Sequence, residues 1–190
     1  RKGETDLINM LGFNFRLTEI QAAIGIEQLK KLDVEVEIRQ KYAKIYDEAL
    51  TSTGFISTSV FDDRSHSYYV QAFRFDENIA GVSRDKYINA VKAELCAVEH
   101  RENEGVPIGC GYVKPIYLLP LFQNKWAYNQ KGFGFKDNIN YEKGLCPNVE
   151  ELHYKELFSH DFTRSPLTRG DVNDVINAHL KVSKHLSELK

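Results

Sequence analysis

The chain has 190 residues, 42% of them hydrophobic and 27% charged, which suits one folded domain with a real core and excludes two large ones. Its net charge of −2 carries no basic surplus for nucleic acid, and no apolar run is long enough to cross a membrane. Three cysteines, Cys96, Cys110 and Cys146, form neither an even set nor a CxxC pair, so a reducing compartment, the cytoplasm, is expected, with no disulfide framework and no zinc site.

The first informative stretch is Leu11 to Leu32. In an extended Gly12-Phe13-Asn14-Phe15-Arg16, the amide and the guanidinium fall on one side and the aromatics on the other. Thr18, with Gln21 three residues on, then signals a capping box. Ile20, Ala23, Ile24, Ile26, Gln28 and Leu29 continue as one stripe at helical spacing. Two donors just ahead of a helix N-terminus make an anion site. The other reading of the same residues is a turn cap at Asn14 and a surface ion pair at Arg16. Helical signal runs from Leu17 to about Ser52, with a break expected near Leu32-Asp33 where the apolar register shifts. The second half, carrying Val36, Tyr42, Ala43, Ile45, Tyr46 and Leu50, reads as a half-exposed helix ended by Gly54.

Ser67 to Asp76 alternates as a strand, preceded by His66, which reads as a solvated loop histidine. Ser83 caps a helix whose stripe is Tyr87, Ala90, Val91, Leu95 and Cys96, the last as a small core residue. Strand and helix in alternation predict an α/β layer. Val106 to Gln123 holds three prolines and two close glycines among apolar and aromatic residues, so it reads as a rigid, irregular strand and loop. It is either a proline-rich edge strand or a pocket wall. Lys125 to Tyr141 is a polar insertion with Trp126, Tyr128, Phe133 and Phe135, either a cover over a site or an ordinary excursion. Gly144 to Leu157 starts a helix near Pro147, with Val149, Leu152 and Leu157 facing inward, Cys146 packed ahead of it and His153 at its surface or rim. Asp161 to Pro166 is expected as the last strand or rim. Thr168 to Asp171 opens a final helix with Val172, Val175, Ile176, Ala178, Leu180, Val182 and Leu186 inside. His179 and His185, six apart, miss the i, i+4 spacing of a shared metal site and read as solvated.

Four of these segments resemble the DegT/DnrJ/EryC1/StrS family of pyridoxal phosphate (PLP) enzymes. GFNFRLTEIQAAIGIEQLKKLD is similar to its G-x-N-x-R-x-x-x-x-Q-A-A segment. Tyr112, Pro115 and Ile116 match its Y-x-x-P-L-H region, with Tyr117 where histidine is common. GLCPNVEEL and LTRGDVNDVI resemble its closing segments. The resemblance implies an α/β fold: the small C-terminal domain of fold type I PLP transferases, with a long N-terminal helix and a small, mainly antiparallel sheet packed with helices. Residues 1–16 would continue from a larger N-terminal PLP-binding domain, and 17–190 would form the small domain. The Schiff-base lysine is expected in that preceding domain, so no catalytic residue is assigned here and the chain alone is expected to be inactive. The implied activity is transfer of an amino group from an amino acid, glutamate by expectation, to a keto sugar, often nucleotide-linked, or a keto cyclitol. The alternatives are a PLP-dependent sugar dehydratase of the same family or, for the chain alone, a non-catalytic dimerisation and substrate-binding module. In a homodimer with a shared active site, Asn14 would meet the PLP phosphate of the other subunit and Arg16 an anionic group nearby. Tyr112, Lys114 and Tyr117 would line the substrate pocket. The departure at Tyr117 puts the usual sugar contact in doubt, because a phenol and an imidazole reach differently. No metal, nucleic acid or membrane partner is expected.

Overall fold

The computed structural model describes residues 16–53, 55–96, 105–127, 130–131 and 139–190. The chain forms two compact units, Arg1–Val34 and Glu35–Lys190.

In the first unit, α1 (Glu19–Leu29) begins at Thr18. The Thr18 hydroxyl accepts from the Gln21 N–H, and the Gln21 side chain accepts from the Thr18 N–H at 3.0 Å, so the capping box forms as read. A turn at Lys30-Lys31 ends α1, two residues before the expected break. None of the α1 residues is buried; Ile20, Ile24, Ile26 and Leu29 are 58–75% exposed. The apolar spacing therefore made a helix, but within this unit it faces no core.

α2 (Leu32–Leu50) continues into the second unit, where Ala43, Tyr46 and Leu50 are buried. Its remaining elements are β1 (Phe55–Ser57), β2 (Gln71–Phe75), α3 (Glu77–Ala80), α4 (Arg84–Ala93), β3 (Ile108–Cys110), α5 (Pro120–Gln123), the short hairpin β4 (Trp126–Ala127) and β5 (Gln130–Lys131), α6 (Pro147–Glu151), β6 (Leu157–His160) and α7 (Arg169–Lys184). β1, β2, β6 and β3 pair antiparallel in that order, with Phe73 opposite Phe158 and Ile108 opposite His160. The last strand in sequence thus lies inside the sheet, between β2 and β3.

Phe55, Phe73, Phe75, Ile108 and Phe158 form one buried cluster with Tyr46 and Leu50 of α2, Tyr87, Ile88 and Val91 of α4, and Val172, Val175 and Val182 of α7. Phe55 packs edge-on against Phe158 at 5.1 Å and Tyr87 at 5.3 Å between ring centroids, a geometry aromatic rings favour over face-to-face contact. The other face of the sheet carries the exposed Ile56 and Arg74, and Arg74 Nε meets Glu156 Oε2 at 2.7 Å.

Several expectations are corrected here. The strand from Ser67 shortens to Gln71–Phe75, because the Tyr68 and Tyr69 carbonyls turn away to accept from Arg39 at 2.9 and 3.2 Å. His66 is half-buried, and its Nδ1 accepts from the Tyr68 N–H at 2.8 Å instead of facing water. Leu157, read as the last inward residue of the helix from Pro147, instead opens a central strand, Leu157–His160, and Asp161–Pro166 is only the rim beyond it. Val149 is 46% exposed and Cys96 is exposed, so neither is a core residue. His179 is wholly buried: its Nδ1 lies 3.2 Å from the Tyr87 hydroxyl, which also donates to the His179 carbonyl at 3.0 Å. Gly54, and Asn14 with the segment ahead of it, lie outside the described residues.

Candidate cofactor and substrate site

The residues singled out from the sequence fall in both units. Arg16, in the first unit, is exposed ahead of the α1 cap. Among the described residues no acceptor pairs with its guanidinium. An unpaired cation before a helix N-terminus suits an anionic group, either a phosphate or a carboxylate.

Tyr112, Lys114 and Tyr117 lie in the second unit, the first two on the connection after β3 and Tyr117 within the 3₁₀ turn Ile116–Leu118. Tyr112 is 81% exposed, Lys114 is exposed, and Tyr117 is buried. The Tyr117 hydroxyl donates to Glu150 Oε1, and the Gly144 N–H donates to the same oxygen at 2.5 Å. Burial, and then the Glu150 carboxylate, push the phenol up to about 12. The phenol and the Gly144 N–H in turn hold Glu150 below the usual carboxylate range. Gln123 completes the frame: its amide donates to the Tyr117 carbonyl at 2.8 Å and the Tyr141 carbonyl at 2.7 Å. The Tyr117 phenol is thus engaged within the fold, and Tyr112 and Lys114 are the members of the trio open to solvent.

The start of the same connection is fixed by other contacts. Gly111 sits at φ +66° with its N–H donating to the Leu157 carbonyl at 2.6 Å. A Cβ there would come within 2.6 Å of the His153 carbonyl oxygen, so only glycine fits both the backbone angle and the space. The Tyr112 N–H donates to His153 Nδ1 at 3.3 Å. Beside it a cleft of about 510 Å³ is lined by Tyr69, Val70, Gly109, Tyr112, Val113 and Ser159. Cys110 borders this cleft, and burial pushes its thiol up to about 11, so it stays protonated near neutral pH and is a poor nucleophile.

Sequence reasoning placed His153 at the surface or rim of its helix and did not single out Glu150 or Arg84. α6 runs on into a π-helical turn, Leu152–Glu156. Arg84, at the start of α4 and 3% exposed, donates to the carbonyls of His153 at 2.9 Å, Tyr154 at 3.0 Å and Leu157 at 2.8 Å. It closes the end of that turn with a buried positive charge, where a helix dipole favours one. The i, i+3 spacing of Glu150 and His153 was the available signal that they share a face. Among the described residues no cluster of His, Cys, Asp and Glu could hold a metal ion, and no helix is long and apolar enough to cross a membrane.

PLP carries a phosphate and an amino donor a carboxylate, and Arg16, exposed and without a partner among the described residues, suits an anion of either kind; when bound, PLP would supply the electron sink for amino transfer. The sequence profile of the DegT/DnrJ/EryC1/StrS aminotransferase family matches residues 2–178. The spore coat polysaccharide biosynthesis protein SpsC of Bacillus subtilis is 29% identical over 88% of this chain and 37% of its own length. A putative L-glutamine:3-amino-2,3-dideoxy-scyllo-inosose aminotransferase of Streptoalloteichus tenebrarius is 29% identical over 95% of this chain and 42% of its own. The chain therefore spans about two-fifths of the length of these relatives. Among solved structures, the aminotransferase from Psychrobacter cryohalolentis has a TM-score of 0.67 at 22% identity over 94% of this chain and 42% of that one, a likeness of fold. Helicobacter pylori PseC, an aminotransferase of pseudoaminic acid biosynthesis, has a TM-score of 0.62 at 20% identity over 97% and 43%. With the α/β fold and a profile match over nearly its whole length, the chain belongs to the DegT/DnrJ/EryC1/StrS aminotransferase family.

Proposed function

We propose that this chain forms the C-terminal part of a PLP-dependent aminotransferase that moves an amino group from an amino acid of the glutamate–glutamine kind to the ketone of a sugar or cyclitol. The observation that carries this reading is the family match over residues 2–178. The names of relatives support the two acceptor classes: scyllo-inosose aminotransferases, and a UDP-4-amino-4,6-dideoxy-N-acetyl-beta-L-altrosamine transaminase of Campylobacter jejuni that is 37% identical over 35% of this chain.

In this reading residues 17–190 are the small domain, the Schiff-base lysine stands in a preceding domain, and the protein works as a cytoplasmic homodimer. Asn14 holds the PLP phosphate across the dimer interface, and Arg16 holds the donor's carboxylate. A planar guanidinium gives a carboxylate two parallel hydrogen bonds, which orients the donor as well as binding it. Tyr112 and Lys114 offer a hydroxyl and an ammonium to the hydroxyl-rich acceptor, and Tyr117 shapes the wall behind them.

The test uses the full-length protein reconstituted with PLP. Glutamate or glutamine is supplied with a panel of nucleotide-linked keto sugars and inososes, and products are followed by mass. An amino product is expected, with the cofactor's visible band changing on addition of donor alone. Arg16→Ala is expected to raise the donor KM by about tenfold, the loss of one charge-assisted contact of about 1.4 kcal/mol. A dehydrated sugar with no amino product, or no cofactor band in the presence of the lysine, would overturn the reading.

A further inference from the structure

We infer that Glu150 and His153 act as a positioning pair that sets the acceptor specificity of the connection from Tyr112 to Tyr117. This rests on the proposal above that the connection faces the acceptor. Residues three apart on a helix share a face, and this pair is spaced to hold both ends of one segment. Glu150 accepts the Tyr117 hydroxyl at the far end, and His153 Nδ1 accepts the Tyr112 N–H at 3.3 Å at the near end.

The segment between has little else to fix it. Residues 112–115 belong to no strand or helix, and Pro115 has no N–H to donate. The exposed Tyr112 and Lys114 therefore take their place from the two anchors and from the packed turn at Gly111. The Glu150 carboxylate binds the Gly144 N–H at 2.5 Å as well, so the same oxygen ties the segment to the loop that leads into α6.

Arg84 makes the anchor rigid. It draws the carbonyls of His153, Tyr154 and Leu157 together around a buried guanidinium, so the turn that carries His153 is held from behind by α4. A sugar or cyclitol is told from its isomers by where its hydroxyls find partners. A site built to hydrogen-bond one pattern rejects another strongly only if its donors and acceptors are held in place.

The experiment compares Glu150→Ala and His153→Ala with Glu150→Gln and His153→Gln, which keep a neutral acceptor, in the full-length PLP-bound protein. Thermal melting followed by circular dichroism selects variants that fold. Each alanine variant is expected to raise the acceptor KM by about tenfold to a hundredfold, the size of effect that misplacement by about 1 Å produces. The reaction with amino donor alone, read from the cofactor band, should stay within about twofold, and the glutamine variants should recover most of the loss. If the wild type aminates an acceptor and the alanine variants leave its KM unchanged, the inference fails and the functional proposal stands. If donor and acceptor steps fall together, the pair is merely structural and the inference fails. If the wild type transfers no amino group to any acceptor, the functional proposal fails and takes the inference with it.

Discussion

Replacing Arg84 by alanine should separate the fold's internal support from its surface. The side chain is 3% exposed and donates to three carbonyls, those of His153, Tyr154 and Leu157, at 2.8–3.0 Å. Its ion pair with Asp85, whose side chain is 61% exposed, is a surface contact worth at most about 1 kcal/mol. The carbonyls matter more. An acceptor left without a partner in the interior costs about 1–3 kcal/mol. Tyr154 is 40% exposed, so its carbonyl can regain water, and the Leu157 carbonyl keeps the Gly111 N–H at 2.6 Å, which leaves the His153 oxygen at full cost. The lost packing of the arginine stem adds to this, and the relief of a desolvated charge subtracts. The net expectation is a loss of about 2–3 kcal/mol for Arg84→Ala, against about 1 kcal/mol for Arg84→Lys, which keeps the charge but reaches fewer carbonyls. With a urea m-value of about 2 kcal/mol/M, the alanine variant's unfolding midpoint should fall by about 1–1.5 M. Amide exchange should quicken first in residues 152–157, where the freed carbonyls lie. A midpoint shift under about 0.5 M would show that the three hydrogen bonds contribute little and would refute the account of how this turn is held.

Two other outcomes follow from buried groups. Burial pushes His160 down to about 3 and His179 down to about 4, while an imidazole in the unfolded chain titrates near about 6.5. Both folded values lie below the unfolded one, so the unfolded state takes up protons first. Their contribution is complete above about pH 6.5 and is lost as pH falls toward about 4 and then 3, at up to about 1.4 kcal/mol per pH unit for each histidine. Urea midpoints at pH 7.5, 6 and 5 should fall in order, and equal midpoints at all three would sink the argument. Gly111→Ala places a Cβ 2.6 Å from the His153 carbonyl oxygen at a φ of +66°, and a loss of about 2–4 kcal/mol is expected by thermal unfolding, where a neutral result would mean that the connection can move aside.

The family, the α/β class and three of the helix starts were legible in the sequence, because each rests on local chemistry. Thr18 with Gln21, Ser83, and Thr168 with Asp171 are side chains that bond the next turn's N–H groups wherever the rest of the chain goes. The inward stripe of α7 was readable too, since an amphipathic period survives packing: Val172, Val175, Ile176, Ala178 and Val182 are all buried. Candidate site residues came from the order of motifs. Their partners did not, since Glu150 and His153 become neighbours of Tyr117 and Tyr112 only across about 30 to 40 positions of chain.

The tertiary structure decided which residues of a readable pattern are used. α1 has a complete apolar stripe and buries none of it, because periodicity states which face could pack and not whether a surface is there to meet it. Leu157–His160 is short and follows helical residues, so nothing local marks it as a strand; it becomes the centre of the sheet because β2 and β3 both offer it unpaired backbone groups. His179 reads as solvated because its spacing to His185 fits no shared site, yet it is sealed between Phe55, Phe158 and Tyr87. Caps and periods are settled within one or two turns of chain, whereas burial, strand pairing and the anchoring of Tyr112 and Tyr117 depend on which distant surfaces arrive, and that is a property of the folded molecule alone.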